Sequence, residues 1–379
     1  MKLAVPTETR AGERRVAMIP DVAGRLTGAG VAVAVQAGAG AEAHFTDAAY
    51  RDKGATVVGS VAELMAGAAA MARVQAPTPE EVEAAPEGIT VVSFLAPATQ
   101  LDTVKALVQK KATAFSLDLL PRISRAQSMD ALSSQSTVSG YRAALAAAER
   151  LPKFFPMFMT AAGTVPPAKV LVLGAGVAGL QAIATARRLG AQVRANDVRA
   201  AAKEEVQSLG ANFVELGLES QEGSGGYARE QSEDFLAKQR ELIGNEVAAS
   251  DVVITTAAVP GRQAPILVTT AMVERMAEGT VLVDLAADSG GNCELTEAGR
   301  DIVHAGVTVT GLTNPPSSMP THASFLYSRN VLNFLTLILT DGELTPDFDD
   351  EIVAGSCVVR AGEIVHGPTR DLVEGKVKP

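Results

Sequence analysis

Residues 169–190 read KVLVLGAGVAGLQAIATARRLG. An apolar run from Lys169 to Leu173 enters a glycine turn, Gly174-Ala175-Gly176-Val177-Ala178-Gly179, and leaves it as Leu180 to Leu189, where apolar residues recur at helical spacing. Strand, turn and helix in that order predict the βα corner of a dinucleotide fold. Gly174 makes the tight turn, Gly176 lets the backbone approach a pyrophosphate, and Gly179 allows close packing of helix on strand. The helix start adds free N–H groups and the positive end of the helix dipole. GxGxxG alone is often only a turn between packed elements. Here Asp197 ends the next strand-like run, Gln192 to Asn196, at the spacing where a carboxylate accepts hydrogen bonds from the adenosine ribose and repels a 2′-phosphate. NAD(H) is therefore the expected dinucleotide, although Arg199, two residues on, weakens the preference.

Outward from this corner the same alternation continues. Strand-like runs at Asp251 to Thr255, Thr280 to Leu285 and Val307 to Leu312 alternate with helical patterns, which predicts a doubly wound parallel sheet. The segments Thr255 to Gly261 and Asp284 to Asn292 follow two of these strands, so both are expected to line the ligand cleft. Upstream, Met1 to Pro6, Val31 to Gln36, Thr90 to Leu95 and Ala112 to Leu119 read as strands. Asp21 to Gly30 and Asp47 to Gly54 read as helices capped by aspartate. Leu151 to Pro167, LPKFFPMFMTAAGTVPP, reads as a covering loop, and a helical pattern begins near Gly140. In the tail, a helix from about Ser324 to Thr340 precedes two strand-like pieces, Glu351 to Val359 and Glu363 to His366. The tail is too small for a domain and is expected to rejoin the first block.

Length and composition agree. A chain of 379 residues suggests two domains and needs no metal or disulfide staple. Lys+Arg 33 against Asp+Glu 43 gives −10, which argues against nucleic-acid or anionic-lipid partners. Hydrophobic residues at 47% exclude a disordered chain. Cys293 and Cys357 form no CxxC pair, and His44, His304, His322 and His366 show no metal spacing, so no metal site is expected and a reducing cytoplasm fits best. No signal peptide or membrane span is read.

With these residues in view, the chain resembles the NAD(H)-binding α subunit of proton-translocating nicotinamide nucleotide transhydrogenase, whose structural cousin is alanine dehydrogenase. The resemblance covers nearly the whole sequence. It rests on VPTETRAGERRVAMIP at the start, PRISRAQSMDALSSQS, MTAAGTVPPAKVLVLGAGVAGLQAIATA and GGYARE at Gly225 to Glu230. It implies two Rossmann-like doubly wound parallel-sheet domains, residues 1–131 with 326–379 and residues 132–325, with the NAD site in the cleft. It also implies that Arg122, Gln127, Asp130 and Ser133 serve the nicotinamide end, with Ile123, Ser124, Ser128 and Met129 in the same loop. Val198, Arg199, Gln239 and Ala258 join Asp197 and the glycine turn as cofactor contacts. Gly226 and Tyr227 fall in a loop that closes over the cofactor, although its composition equally suits a plain linker. From the residues themselves, Arg122 and Asp130 can pair across a turn, and Gln127 offers both a donor and an acceptor. A polar loop capped by Ser and Asp is the plainer alternative.

Alanine dehydrogenase needs a cation for the substrate carboxylate and an acid/base for the amine. The stretches that carry them read Val74-Gln75-Ala76-Pro77 and Phe94-Leu95-Ala96-Pro97 here, without the lysine and the histidine. Arg15 and Asp288 match other positions of that oxoacid site, as a relic. Hydride passage between two nicotinamide rings needs neither acid nor base. The resemblance therefore implies a subunit that passes hydride from NADH to NADP⁺ on a partner. It would work with NADP(H)-binding and membrane-spanning subunits, as a homodimer in the cytoplasm attached peripherally to the inner membrane. An alanine dehydrogenase-like oxidoreductase and a non-enzymatic NAD sensor are the alternatives.

Overall fold

The structure, a computed structural model, describes residues 1–215, 233–258 and 263–376, with side chains between 233 and 239 not included. The chain divides into two compact units, Met1–Gln135 with Pro316–Pro379, and Ser136–Pro315. The divisions at 135/136 and 315/316 stand beside the expected 131/132 and 325/326.

In the first unit one eight-stranded sheet runs in the order Glu363–Ile364, Cys357–Arg360, Thr113–Ser116, Thr90–Ser93, Ala70–Ala72, Lys2–Val5, Ala32–Gln36, Thr56–Val58. From Thr113–Ser116 to Thr56–Val58 every pairing is parallel. The returning tail adds Cys357–Arg360 antiparallel to Thr113–Ser116. Leu3, Val5, Val33, Val35, Val92 and Phe115 are buried with Tyr327, Val331, Phe334 and Leu335 of the helix Pro320–Ile338, which seats the tail in this core.

The second unit has a seven-stranded sheet in the order Asn212–Phe213, Gln192–Asn196, Lys169–Leu173, Val252–Thr255, Val281–Asp284, Val307–Gly311, Asp301–His304. All pairings are parallel except the last. Strand order reverses on either side of Lys169–Leu173, and doubly wound sheets place ligands at the carboxyl ends beside such a reversal. With few aromatics, this core closes on small residues. Ala143, Ala144 and Ala147 of the helix Ala131–Arg150 are buried in one cluster with Ala182, Ile183 and Ala186 of the helix Val177–Arg188.

Several local expectations are corrected. Glu351–Ser356 is a helix, not a strand, because Asp350 caps it by accepting from the Ile352 N–H at 2.8 Å; the strand begins only at Cys357. The helix placed near Gly140 begins at Ala131. Pro20, not Asp21, opens the first helix, and Thr46, not Asp47, caps the second. Within the expected covering loop, Phe158–Thr160 and Gly163–Val165 form an antiparallel hairpin. Thr56–Val58 and Ala70–Ala72 are too short for their alternation to stand out.

Candidate functional site

The glycine turn has the geometry its sequence predicts. Gly174 sits at φ +98°, where a side chain would be strained, and a Cβ there would come within 2.5 Å of Thr256 Oγ1. The Thr256 hydroxyl donates to the Gly174 carbonyl at 3.0 Å, which ties the turn to the strand across the reversal. A Cβ on Gly179 would lie 1.9 Å from the Gly174 carbonyl oxygen. Only glycine allows the helix to start that close to the strand. Gly176 differs, because its φ is −71° and nothing lies within 4 Å of a Cβ built on it. Space and backbone therefore lie open where a pyrophosphate would approach, and no side chain caps the helix Val177–Arg188. An uncapped helix start is an anion site in waiting. The residues thus fit a dinucleotide.

Asp197 follows the strand Gln192–Asn196 and is turned back on the glycine turn. Its Oδ2 accepts from the Ala175 N–H at 2.7 Å, and its Oδ1 accepts from the Arg199 N–H at 2.8 Å and Arg199 Nε at 3.0 Å. Val198 and Ala258 are exposed beside these strand ends. Asp284 and Asn292, expected in the cleft lining, are both fully buried. Asp284 accepts from Ala286, Asn292 and Cys293 amides and from Thr296 Oγ1. Asn292 clasps Ala257 through both its amide atoms. They shape the two turns and face inward. A stretch of the first turn (259–262), Gly226 and Tyr227, and the side chain of Gln239 lie outside the described residues.

In the first unit the RISRAQSMD stretch forms a 3-10 turn, Ser124–Met129, leading straight into the helix Ala131–Arg150. Asp130 does not pair with Arg122. Its Oδ1 accepts from the Ser133 N–H at 2.9 Å and its Oδ2 from the Ser133 hydroxyl at 2.5 Å, the work of a helix cap, which competes better than an ion pair across an exposed turn. Arg122, Ser124, Gln127 and Ser128 are exposed, Ile123 is half-buried, and Met129 is buried as the anchor. Two residues that the sequence did not single out hold the turn from behind. Asn330 Nδ2 and Asn333 Nδ2 both donate to the Ser128 carbonyl, at 3.0 and 2.8 Å, and Asn330 Oδ1 accepts from Ser134 Oγ at 2.7 Å. Arg125 is forked onto Asp350 at 2.5 and 3.0 Å.

Arg15, expected as a remnant of an oxoacid site, is buried and turned inward. Its Nε and Nη2 meet the two Glu13 oxygens at 2.8 and 2.7 Å, and Nη1 donates to Gln135 Oε1 at 2.8 Å. Gln75 Nε2 also donates to Glu13, at 2.8 Å. Burial alone would push the Glu13 carboxyl up, but the Arg15 fork outweighs it and holds the group down at about 2. At position 96 the backbone is left-handed, φ +44°, and Asp118 accepts the Ala96 N–H at 3.1 Å. Asp288 is exposed and accepts from the Asn314 N–H at 3.0 Å.

Glycine turn, uncapped helix and carboxylate on a doubly wound sheet define a dinucleotide-binding Rossmann-type protein. Family models described as "Alanine dehydrogenase/PNT, N-terminal domain" and "Alanine dehydrogenase/PNT, C-terminal domain" match residues 4–139 and 143–367. An NAD(P) transhydrogenase subunit alpha chain of Rhodospirillum rubrum is 48% identical over 376 residues, 97% of this chain and 98% of that protein. The crystal structure of transhydrogenase from Sinorhizobium meliloti matches with a TM-score of 0.87 at 40% identity, covering 96% of this chain and 100% of the other. An L-alanine dehydrogenase structure matches at 0.83 and 26% identity, with 99% of each chain covered. This chain belongs to the alanine dehydrogenase/PNT family and, within it, to the NAD(P) transhydrogenase α subunits. Among the described residues no helix is long and apolar enough to cross a membrane.

Proposed function

We propose that this chain binds NAD(H) and, with partner subunits, transfers hydride from NADH to NADP⁺ in a proton-translocating transhydrogenase. The observation that carries the reading is the open glycine turn before an uncapped helix, with Asp197 beside it. The pair of rings supplies and accepts the hydride, leaving the protein to bind, orient and exclude water. Gly174 to Gly179 would hold the pyrophosphate and Asp197 the adenosine ribose. Arg122, Gln127, Asp130 and Ser133 are proposed for the nicotinamide end. Asp130 and Ser133 would act mainly by fixing the turn from which Gln127 and Arg122 project.

Gln75 and Ala96 support hydride transfer over amino-acid oxidation. The first is hydrogen-bonded to Glu13, and the second has no ionisable group to carry a proton. The partners are proposed to be an NADP(H)-binding subunit and a membrane-spanning subunit, which would keep the chain at the cytoplasmic face of the inner membrane. A second copy of the chain is proposed too, on the strength of an exposed apolar hairpin region in which Phe154, Met157 and Met159 are 56%, 57% and 77% exposed. The deciding assay mixes the chain with the NADP(H)-binding partner and follows hydride exchange between NADH and an NADP⁺ analogue. NADH binding without exchange would leave a nicotinamide-binding protein of another kind.

A further inference from the structure

The carboxylate of Asp197 has no obvious room for a ribose. Its side chain is 8% exposed, and two oxygens with about two lone pairs each already accept four hydrogen bonds. Two of the donors, the Ala175 and Arg199 backbone N–H groups, are fixed by the turns that contain them. The other two are Nε and Nη2 of Arg199, at 3.0 Å from Oδ1 and 3.3 Å from Oδ2. Nη2 also donates to the Ala175 carbonyl at 3.0 Å, so the guanidinium is held to the backbone of the glycine turn as well as to Asp197. Arg199 is 44% exposed, and among these donors only its side chain is free to leave by rotamer change.

From this geometry we infer that Arg199 is a specificity-determining residue that competes with the adenosine ribose for Asp197. The inference rests on the NAD(H) reading above and adds to it. With the guanidinium in place, the Asp197 lone pairs are taken and its charge is neutralised. A ribose diol gains Asp197 only by displacing the guanidinium. Once displaced, the cation stays tethered two residues away, where it softens the repulsion between Asp197 and a 2′-phosphate. Arg199 thus costs affinity for the 2′-hydroxyl form and lowers the penalty on the 2′-phosphorylated one. It narrows the discrimination that Asp197 alone would give. A purely gripping role predicts the opposite sign for the 2′-hydroxyl form, with Arg199→Ala weakening NADH.

The test is calorimetric titration of the chain and its Arg199→Ala and Arg199→Lys variants with NADH, NADPH, ADP-ribose and 2′-phospho-ADP-ribose. The last two remove the nicotinamide end from the comparison. Arg199→Ala is expected to bind NADH and ADP-ribose about two- to fivefold more tightly, the range carried by an ion pair of this exposure. It should bind both 2′-phosphorylated ligands more weakly, so the ratio widens by roughly tenfold, as expected when a charge-assisted contact is lost. Arg199→Lys keeps the cation without the fork, and its ratio should stay near that of the parent. Weaker NADH binding by Arg199→Ala, or an unchanged ratio, would overturn the inference. If the parent chain binds neither NADH nor ADP-ribose, the NAD(H) reading fails first and takes this proposal with it. Unaltered thermal unfolding in both variants shows that the chain is folded.

Discussion

Replacing Gly140 with alanine tests whether the dinucleotide helix is set in place by the helix behind it. A Cβ at residue 140 would fall 2.0 Å from the Ala178 carbonyl oxygen and 2.8 Å from its carbon, where real Cβ atoms come no closer than about 3.0 Å. Both atoms belong to backbone, so no side-chain rotation relieves the clash. The helices Ala131–Arg150 and Val177–Arg188 must part by about 1 Å, and overpacking of this kind costs about 1–3 kcal/mol. For a unit of this size that lowers the melting temperature by roughly 2–12 °C. The same displacement carries the N–H groups of Val177 to Gly179 away from the proposed pyrophosphate site, and losing about 1.5–3 kcal/mol there should weaken NADH binding by at least tenfold. Gly176→Ala is the contrast. Its Cβ meets nothing within 4 Å, so it should melt within about 1 °C of the parent, the ordinary range for a strain-free site, yet lose NADH affinity. Differential scanning calorimetry beside NADH titration reads both quantities. Unchanged melting and unchanged affinity in Gly140→Ala would refute the reasoning.

Three further outcomes are expected. Asn330→Ala removes one of the two donors to the Ser128 carbonyl and the Asn330 acceptor of Ser134, so single-turnover hydride exchange with the partner should fall by about tenfold or more while the NADH dissociation constant stays within about twofold; equal loss of both would make the turn an anchor rather than a guide. Glu13→Gln leaves Arg15 buried against a neutral partner and should cost about 3–5 kcal/mol in urea unfolding. Because the folded Glu13 carboxyl titrates at about 2 and the ordinary one at 4.5, its contribution is full above pH 4.5 and fades as pH falls toward 2, a loss on the order of 3 kcal/mol; Glu13→Gln should flatten that slope, and an unchanged slope would put the acid sensitivity elsewhere. Finally, the chain should not reduce NAD⁺ with L-alanine, since Gln75 and Ala96 supply neither a cation nor a proton carrier; turnover on the order of 1 to 10³ per second would overturn the choice within the family.

Local rules reach as far as neighbours along the chain. The strand Gln192–Asn196 and the glycine turn are legible because periodicity and positive φ at Gly174 are properties of a few consecutive residues. The hairpin Phe158–Thr160 with Gly163–Val165 is not, because its side chains are exposed on both strands and no alternation marks it. The helix Glu351–Ser356 reads as strand for a related reason. Its EIVAGS runs on without a break into the β-branched CVVR, and only the Asp350 cap ahead of the run makes its first part a helix.

The sequence by itself determined the class of the sheet, the dinucleotide corner with Asp197, and the missing lysine and histidine at positions 75 and 96. The first two follow from residue type and short-range spacing, and the third from the resemblance to alanine dehydrogenase. Tertiary structure alone decided what each polar group is paired with. Arg15 meets Gln135 across 120 positions, and Asn330 reaches Ser128 across 202. Gly140 matters only because another helix passes at backbone distance. Even the pairing of Arg199 with Asp197, two residues apart, is undecided in sequence. A long side chain has several acceptors within reach, and the Ala175 carbonyl that completes this arrangement is delivered by a different strand. Hydrogen bonds depend on distances within a few tenths of an ångström, and packing alone fixes those between segments far apart in the chain.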